Sequence, residues 1–68
     1  MKQIKEYLCD DKKPTDDEIN NGVMIANSEN CVVKLNWFVP YSGHYRLYIT
    51  PGMSIEECRE KLPRRYPL

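Results

Sequence analysis

The stretch that decides the fold is CVVKLNWFVPYSGHYRLYIT, residues 31–50. Its two halves, about 31–39 and 44–50, are rich in β-branched and aromatic residues and alternate in polarity, which is the pattern of half-buried strands. Pro40-Tyr41-Ser42-Gly43 separates them. Two such runs around a short Gly-containing loop read as an antiparallel hairpin. Parity then assigns the faces. Val33, Leu35, Trp37, Tyr45, Leu47 and Ile49 collect on one side, and Lys34, Asn36, Phe38, His44, Arg46 and Tyr48 on the other. A four-residue loop with Val39 opposite His44 mixes the two sets and buries charge. A three-residue loop, Tyr41-Ser42-Gly43 with Gly43 left-handed, keeps them apart.

Working outward, Pro51-Gly52 ends the second strand, and Ser54-Ile55-Glu56-Glu57 is a capping box that opens a helix over about 54–62. Met53 and Cys58 stand at its staple positions, Ile55, Cys58 and Leu62 share a face, and Pro63 stops it. On the other side, Thr15-Asp16-Asp17-Glu18 is a second capping box, with acids where a helix dipole favours them. Ile19, Val23 and Ala26 follow on one face, which predicts a helix over about 16–28 that ends at Asn30. Gly22 leaves open a turn followed by an extra strand over 22–26. Residues 2–9, KQIKEYLC, place Ile4 and Leu8 four apart and predict a short first helix.

The expected architecture is therefore α+β in the order α-α-β-β-α. A two-stranded antiparallel hairpin packs one face on short helices, within a single domain spanning residues 1–68. Helices must support so small a sheet, and its outer edges stay open unless a partner covers them.

Length and composition narrow the function classes. Sixty-eight residues make one small domain, near the size at which only ~60% of the unfolded surface is buried. The chain has ten basic and ten acidic residues, so bulk electrostatics do not drive it to nucleic acid. Residues 1–30 carry four basic and seven acidic side chains, a net of −3, and residues 31–68 carry six and three, a net of +3. Asp10, Asp11, Asp16, Asp17 and Glu18 give the acidic half a means to compete for a basic groove. Arg59, Lys61, Arg64 and Arg65 make the other end basic, where cations also complement a helix C-terminus. Cys9, Cys31 and Cys58 are three and widely spaced, the pattern of reduced, buried thiols. They and His44 lack the close ligand pairs of a zinc site, so no metal and no cofactor are expected. No signal-peptide pattern, lipidation motif or apolar run near the ~18 residues of a membrane span occurs. The expected location is the cytoplasm, that of the host cell if the chain is phage-encoded.

Catalysis is not expected. The single histidine, His44, has no Ser or Cys nucleophile beside it, and capping explains the paired acids Asp16-Asp17 and Glu56-Glu57. Three glycines form no phosphate loop. The informative feature is the outer hairpin face. Phe38, His44, Arg46, Tyr48 and Lys34, with Tyr41 at the tip, combine rings and cations. Such a set anchors protein partners. It also suits single-stranded nucleic acid, where bases stack and cations hold phosphates. The expectation is a small non-catalytic protein-binding module, with a nucleic-acid-binding regulator as the alternative. A homodimer through an open strand edge is a third possibility. In size, reduced cysteines and α+β plan the chain resembles, in type only, the stand-alone proteins that phages and mobile elements encode, anti-CRISPR inhibitors among them. That likeness implies an inhibitor of a host complex such as a CRISPR effector, and no residue is carried over by it.

Overall fold

The computed structural model describes residues 3–10 and 13–62. Its elements are β1 (Ile4–Leu8), α1 (Asp16–Glu29), β2 (Val32–Val39), β3 (Gly43–Ile49) and α2 (Ile55–Lys61). The strands form one three-stranded sheet in the order β1-β2-β3. β1 runs parallel to β2, and β3 runs antiparallel to it.

This corrects the expected α-α-β-β-α order to β-α-β-β-α, and the two-stranded hairpin to a mixed three-stranded sheet. The segment at fault is residues 2–9. An isolated helix of that length is marginal in water, whereas β2 offers it a free edge. Ile4 lies opposite Val32 and Leu8 opposite Asn36, and α1 supplies the crossover that a parallel pair requires. The two ends of the ladder fix its phase: the Val32 N–H donates to the Gln3 carbonyl at 3.0 Å, and the Cys9 N–H donates to the Asn36 carbonyl at 2.7 Å. The backbone groups of Lys5, Tyr7 and Cys9 therefore face β2, and those of Ile4, Glu6 and Leu8 face the open edge.

The hairpin keeps the expected faces but not the expected loop. Val39 pairs with Gly43, so the loop is Pro40-Tyr41-Ser42, closed by the Ser42 N–H on the Val39 carbonyl at 3.0 Å. This pairing is shifted by two residues, so parity survives. Tyr41 (φ 69°) and Gly43 (φ 114°) take the left-handed backbone that turns the chain.

α1 lies across β2 and β3, and α2 packs on α1 and β3. Together they bury Val33, Leu35, Trp37, Leu47 and Ile49. Trp37 is the largest fully buried side chain, and its ring stacks on Tyr45 with centroids 6.0 Å apart. α1 runs unbroken through Gly22, so no strand forms at 22–26. A Cβ at Gly22 would lie 2.7 Å from Ile49 Cδ1, so the bare glycine is what lets α1 approach the sheet.

Both capping boxes form. Thr15 Oγ1 accepts from the Glu18 N–H at 3.2 Å, and Glu18 Oε1 accepts from the Thr15 N–H at 2.8 Å. Ser54 and Glu57 repeat the exchange at 3.1 and 3.3 Å. Asn30 closes α1 in the left-handed conformation (φ 50°). Cys9, Cys31 and Cys58 are buried thiols that form no disulfide. Burial pushes the Cys58 thiol up from its ordinary value, helped by the neighbouring Glu57. Among the described residues, no helix is long and apolar enough to cross a membrane. Asp11 and the tail residues Arg64 and Arg65 lie outside the described residues.

Candidate protein-binding face

Both helices sit on one side of the sheet, and among the described residues no element covers the other side. Its side chains fall in rows set by the pairing: Glu6, Lys34 and Tyr48 form one, and Leu8, Asn36 and Arg46 the next. Ile4 with Val32 ends the face on one side, and Phe38 with His44 on the other.

Within the first row, Lys34 Nζ lies 3.2 Å from Glu6 Oε1 and 5.7 Å from the centre of the Tyr48 ring. The ammonium is thus held between a carboxylate and a π face. At the far end, the Phe38 and His44 rings meet at 4.9 Å with a 36° tilt. Phe38 and Tyr48 remain 48% and 43% exposed despite these contacts. The aliphatic groups at the β1 side are barer still, Ile4 at 56% and Leu8 at 77%. Aromatic, aliphatic and cationic groups therefore share one accessible pleated surface.

Of the residues singled out from sequence, Lys34, Phe38, His44, Arg46 and Tyr48 share this face. Tyr41 stands apart at the hairpin tip, 97% exposed. Lys34 is half-buried and already engaged by Glu6. Sequence reasoning missed Ile4, Glu6 and Leu8, because a helix there sends Ile4 and Leu8 toward the core. No local signal marks them, because residues 4–8 do not alternate in polarity and their partner strand lies far along the chain.

Two ion pairs join the acidic and basic halves of the chain. Arg59 of the basic half holds Asp16 of the acidic half through both carboxylate oxygens, Nε to Oδ1 at 3.2 Å and Nη2 to Oδ2 at 3.1 Å. Lys34 likewise meets Glu6, and Lys5 pairs with Glu29 at the end of α1. Glu29 keeps the Lys5 ammonium above its ordinary pKa, and the Thr15 backbone N–H holds the Glu18 carboxyl below its own. Within the acidic set Glu18 serves as a capping group and Asp16 as an ion-pair partner, while Asp10 and Asp17 are exposed.

A concavity of about 490 Å³ lies between β1 and α1 because α1 sits over the other two strands. Tyr7, Met24, Ile25 and Leu35 give it an apolar lining. No family model, no curated protein and no solved structure matches this chain.

Proposed function

We propose that the chain is a non-catalytic protein-binding module that docks on a larger protein or ribonucleoprotein through the bare face of its sheet. The observation that supports this is the co-facial set Phe38, Arg46 and Tyr48, extended by Ile4 and Leu8. Aromatic and Arg anchors carry most interface energy, and an accessible apolar patch of this kind is what a partner covers. Charge favours protein over nucleic acid. Lys34 is engaged by Glu6, so Arg46 is the uncommitted cation of the face among the described residues. Ile4, Leu8 and Val32 offer bases nothing to stack on and phosphates nothing to bind. In its most specific form the module is an inhibitor, phage- or mobile-element-encoded, acting in the host cytoplasm by occupying a working surface of a complex such as a CRISPR effector. Size and plan alone support that form.

The test compares wild type with Arg46→Ala, Tyr48→Ala and a Phe38→Ser/Arg46→Ser/Tyr48→Ser triple variant. Each is used to capture partners from nuclease-treated host lysate at two salt concentrations. Each single change should weaken binding of a captured protein by about 1–4 kcal/mol while leaving the circular dichroism spectrum native. Full retention by the triple variant overturns the proposal. Binding to single-stranded oligonucleotides that falls steeply with salt would favour the nucleic-acid reading instead.

A further inference from the structure

The two outer strands of the sheet end differently. β3 pairs with β2 through Val33–Ile49, Leu35–Leu47 and Trp37–Tyr45, the β2 positions whose backbones turn away from β1. The free backbone groups of β3 therefore belong to His44, Arg46 and Tyr48. A cation and two large rings flank that edge, and such groups hinder the approach of another strand. The free groups of β1 belong to Ile4, Glu6 and Leu8. Aliphatic side chains flank this edge, and its one charge on the bare face, Glu6, is balanced by Lys34.

We infer that the β1 edge accepts an extended segment of a partner protein as a fourth strand, with an apolar–basic–apolar triplet at alternate positions. The inference rests on the protein-binding reading above and adds the mode of docking. Three observations carry it. First, Ile4, Glu6 and Leu8 present their N–H and C=O groups outward, and among the described residues no strand pairs with them. An added strand satisfies these groups. Second, charge selects the residue opposite Glu6. Lys34 takes only Oε1, at 3.2 Å, and the Glu6 side chain stays 60% exposed, so a basic residue can approach its other oxygen. Apolar residues then fall opposite Ile4 and Leu8, both bare on the same face. Third, the intervening side chains of the added strand point toward the helix side. There the concavity beside Tyr7 and Met24 receives them, and Met24 is itself 60% exposed. The triplet reads the same in both directions, so it holds for parallel and antiparallel addition.

The probe is a random heptapeptide library displayed on phage and selected against the full chain. The expected result is enrichment of apolar–basic–apolar triplets at alternate positions. A synthetic peptide of that consensus should bind at least about tenfold more weakly after its central basic residue becomes Glu. Glu6→Pro removes an outward N–H that β2 does not use, and a β1 that still folds should lose the peptide. Leu8→Lys is the second variant, with the same expected loss. Glu6→Lys should transfer preference to the acidic-centred peptide, an outcome that mere loss of structure cannot give. No enrichment, enrichment without the alternation, or equal binding to folded Glu6→Pro and Leu8→Lys overturns the inference. The two readings fail separately. A partner lost by the Phe38/Arg46/Tyr48 triple variant but indifferent to the edge variants sinks strand addition alone. A consensus peptide without any captured protein sinks the larger reading and leaves the edge intact.

Discussion

β1 and β3 both pair with β2, yet they live in different surroundings. β3 buries Leu47 and Ile49 under the helices and exposes His44, Arg46 and Tyr48 at alternate positions. β1 has no buried residue: Ile4, Glu6, Tyr7 and Leu8 are exposed and Lys5 is half-exposed. The cause is where α1 lies, over β2 and β3 and not over β1. β3 is held by packing as well as by its ladder, and β1 chiefly by its ladder. Backbone pairing can thus place a strand in a sheet without giving it a core face. A strand of that kind is a natural site for outside contacts.

The largest expected effect lies on the packed side of this comparison. Trp37→Ala removes the largest fully buried side chain and its stack on Tyr45. The loss should be about 3–5 kcal/mol, against a total of about 5–15 kcal/mol for a typical domain. Urea denaturation followed by far-ultraviolet circular dichroism measures it. A variant that unfolds with a native midpoint would show that the β2–β3 face is not the core.

Amide hydrogen exchange sharpens the same contrast residue by residue. The N–H groups of Lys5, Tyr7 and Cys9 face β2, and those of Glu6 and Leu8 face the open edge. Protection along β1 should therefore alternate, the inward amides exchanging at least about tenfold more slowly than the outward ones. Even the inward amides should exchange faster than those of Val33, Leu35 and Leu47, since β1 can open without disturbing the core. Uniform protection along β1 would mean that something covers its edge in the free chain.

How much of this was legible in the sequence follows from the same difference. The hairpin could be read because its strands are adjacent in sequence, alternate in polarity and are joined by a loop with Gly43 at its end. Each helix start could be read because capping is local chemistry, Thr15 with Glu18 and Ser54 with Glu57. β1 could not be read as a strand on those terms. Its partner lies far along the chain, Ile4 against Val32, and no buried face imprints an alternation on it. With Ile4 and Leu8 four apart and one polar pair between, the helical stripe was the stronger local pattern. The candidate face was legible only to the extent of the hairpin. Phe38, Arg46 and Tyr48 follow from parity, but Ile4, Glu6 and Leu8 join them only through the non-local pairing.

A smaller effect belongs to the helix that links the two kinds of strand. Thr15→Ala should cost about 1 kcal/mol at all pH values, because the Glu18 N–H loses its acceptor. Glu18→Gln keeps the capping box, since an amide oxygen also accepts from the Thr15 N–H. It removes the titration. The Glu18 carboxyl is held below its ordinary value in the folded chain, first by the Thr15 backbone N–H. Its stabilising contribution is present above the carboxyl's unfolded pKa and is lost as pH falls through the folded one. The variant should therefore show a shallower loss of stability on acidification than wild type. Identical acid limbs for the two chains would place the pH dependence elsewhere.

The smallest expected effect is the most direct test of β1. Leu8 is 77% exposed, so its side chain adds little to the fold. In the expected first helix the same residue packs with Ile4 on the core, and truncating a buried leucine costs about 2–5 kcal/mol. On an exposed edge strand, Leu8→Ser should stay within about 0.5 kcal/mol of wild type. The N–H and C=O of residue 8 already face outward, so a serine there disturbs no β1–β2 hydrogen bond. Leu47→Ser, on the strand across the sheet, is the matched control, and there a hydroxyl enters a buried apolar site without a designed partner. The pair of denaturation midpoints decides between the two surroundings. Near-identity of Leu8→Ser with wild type beside a collapse of Leu47→Ser is the expected outcome, and a comparable loss in both would return Leu8 to the core and β1 with it.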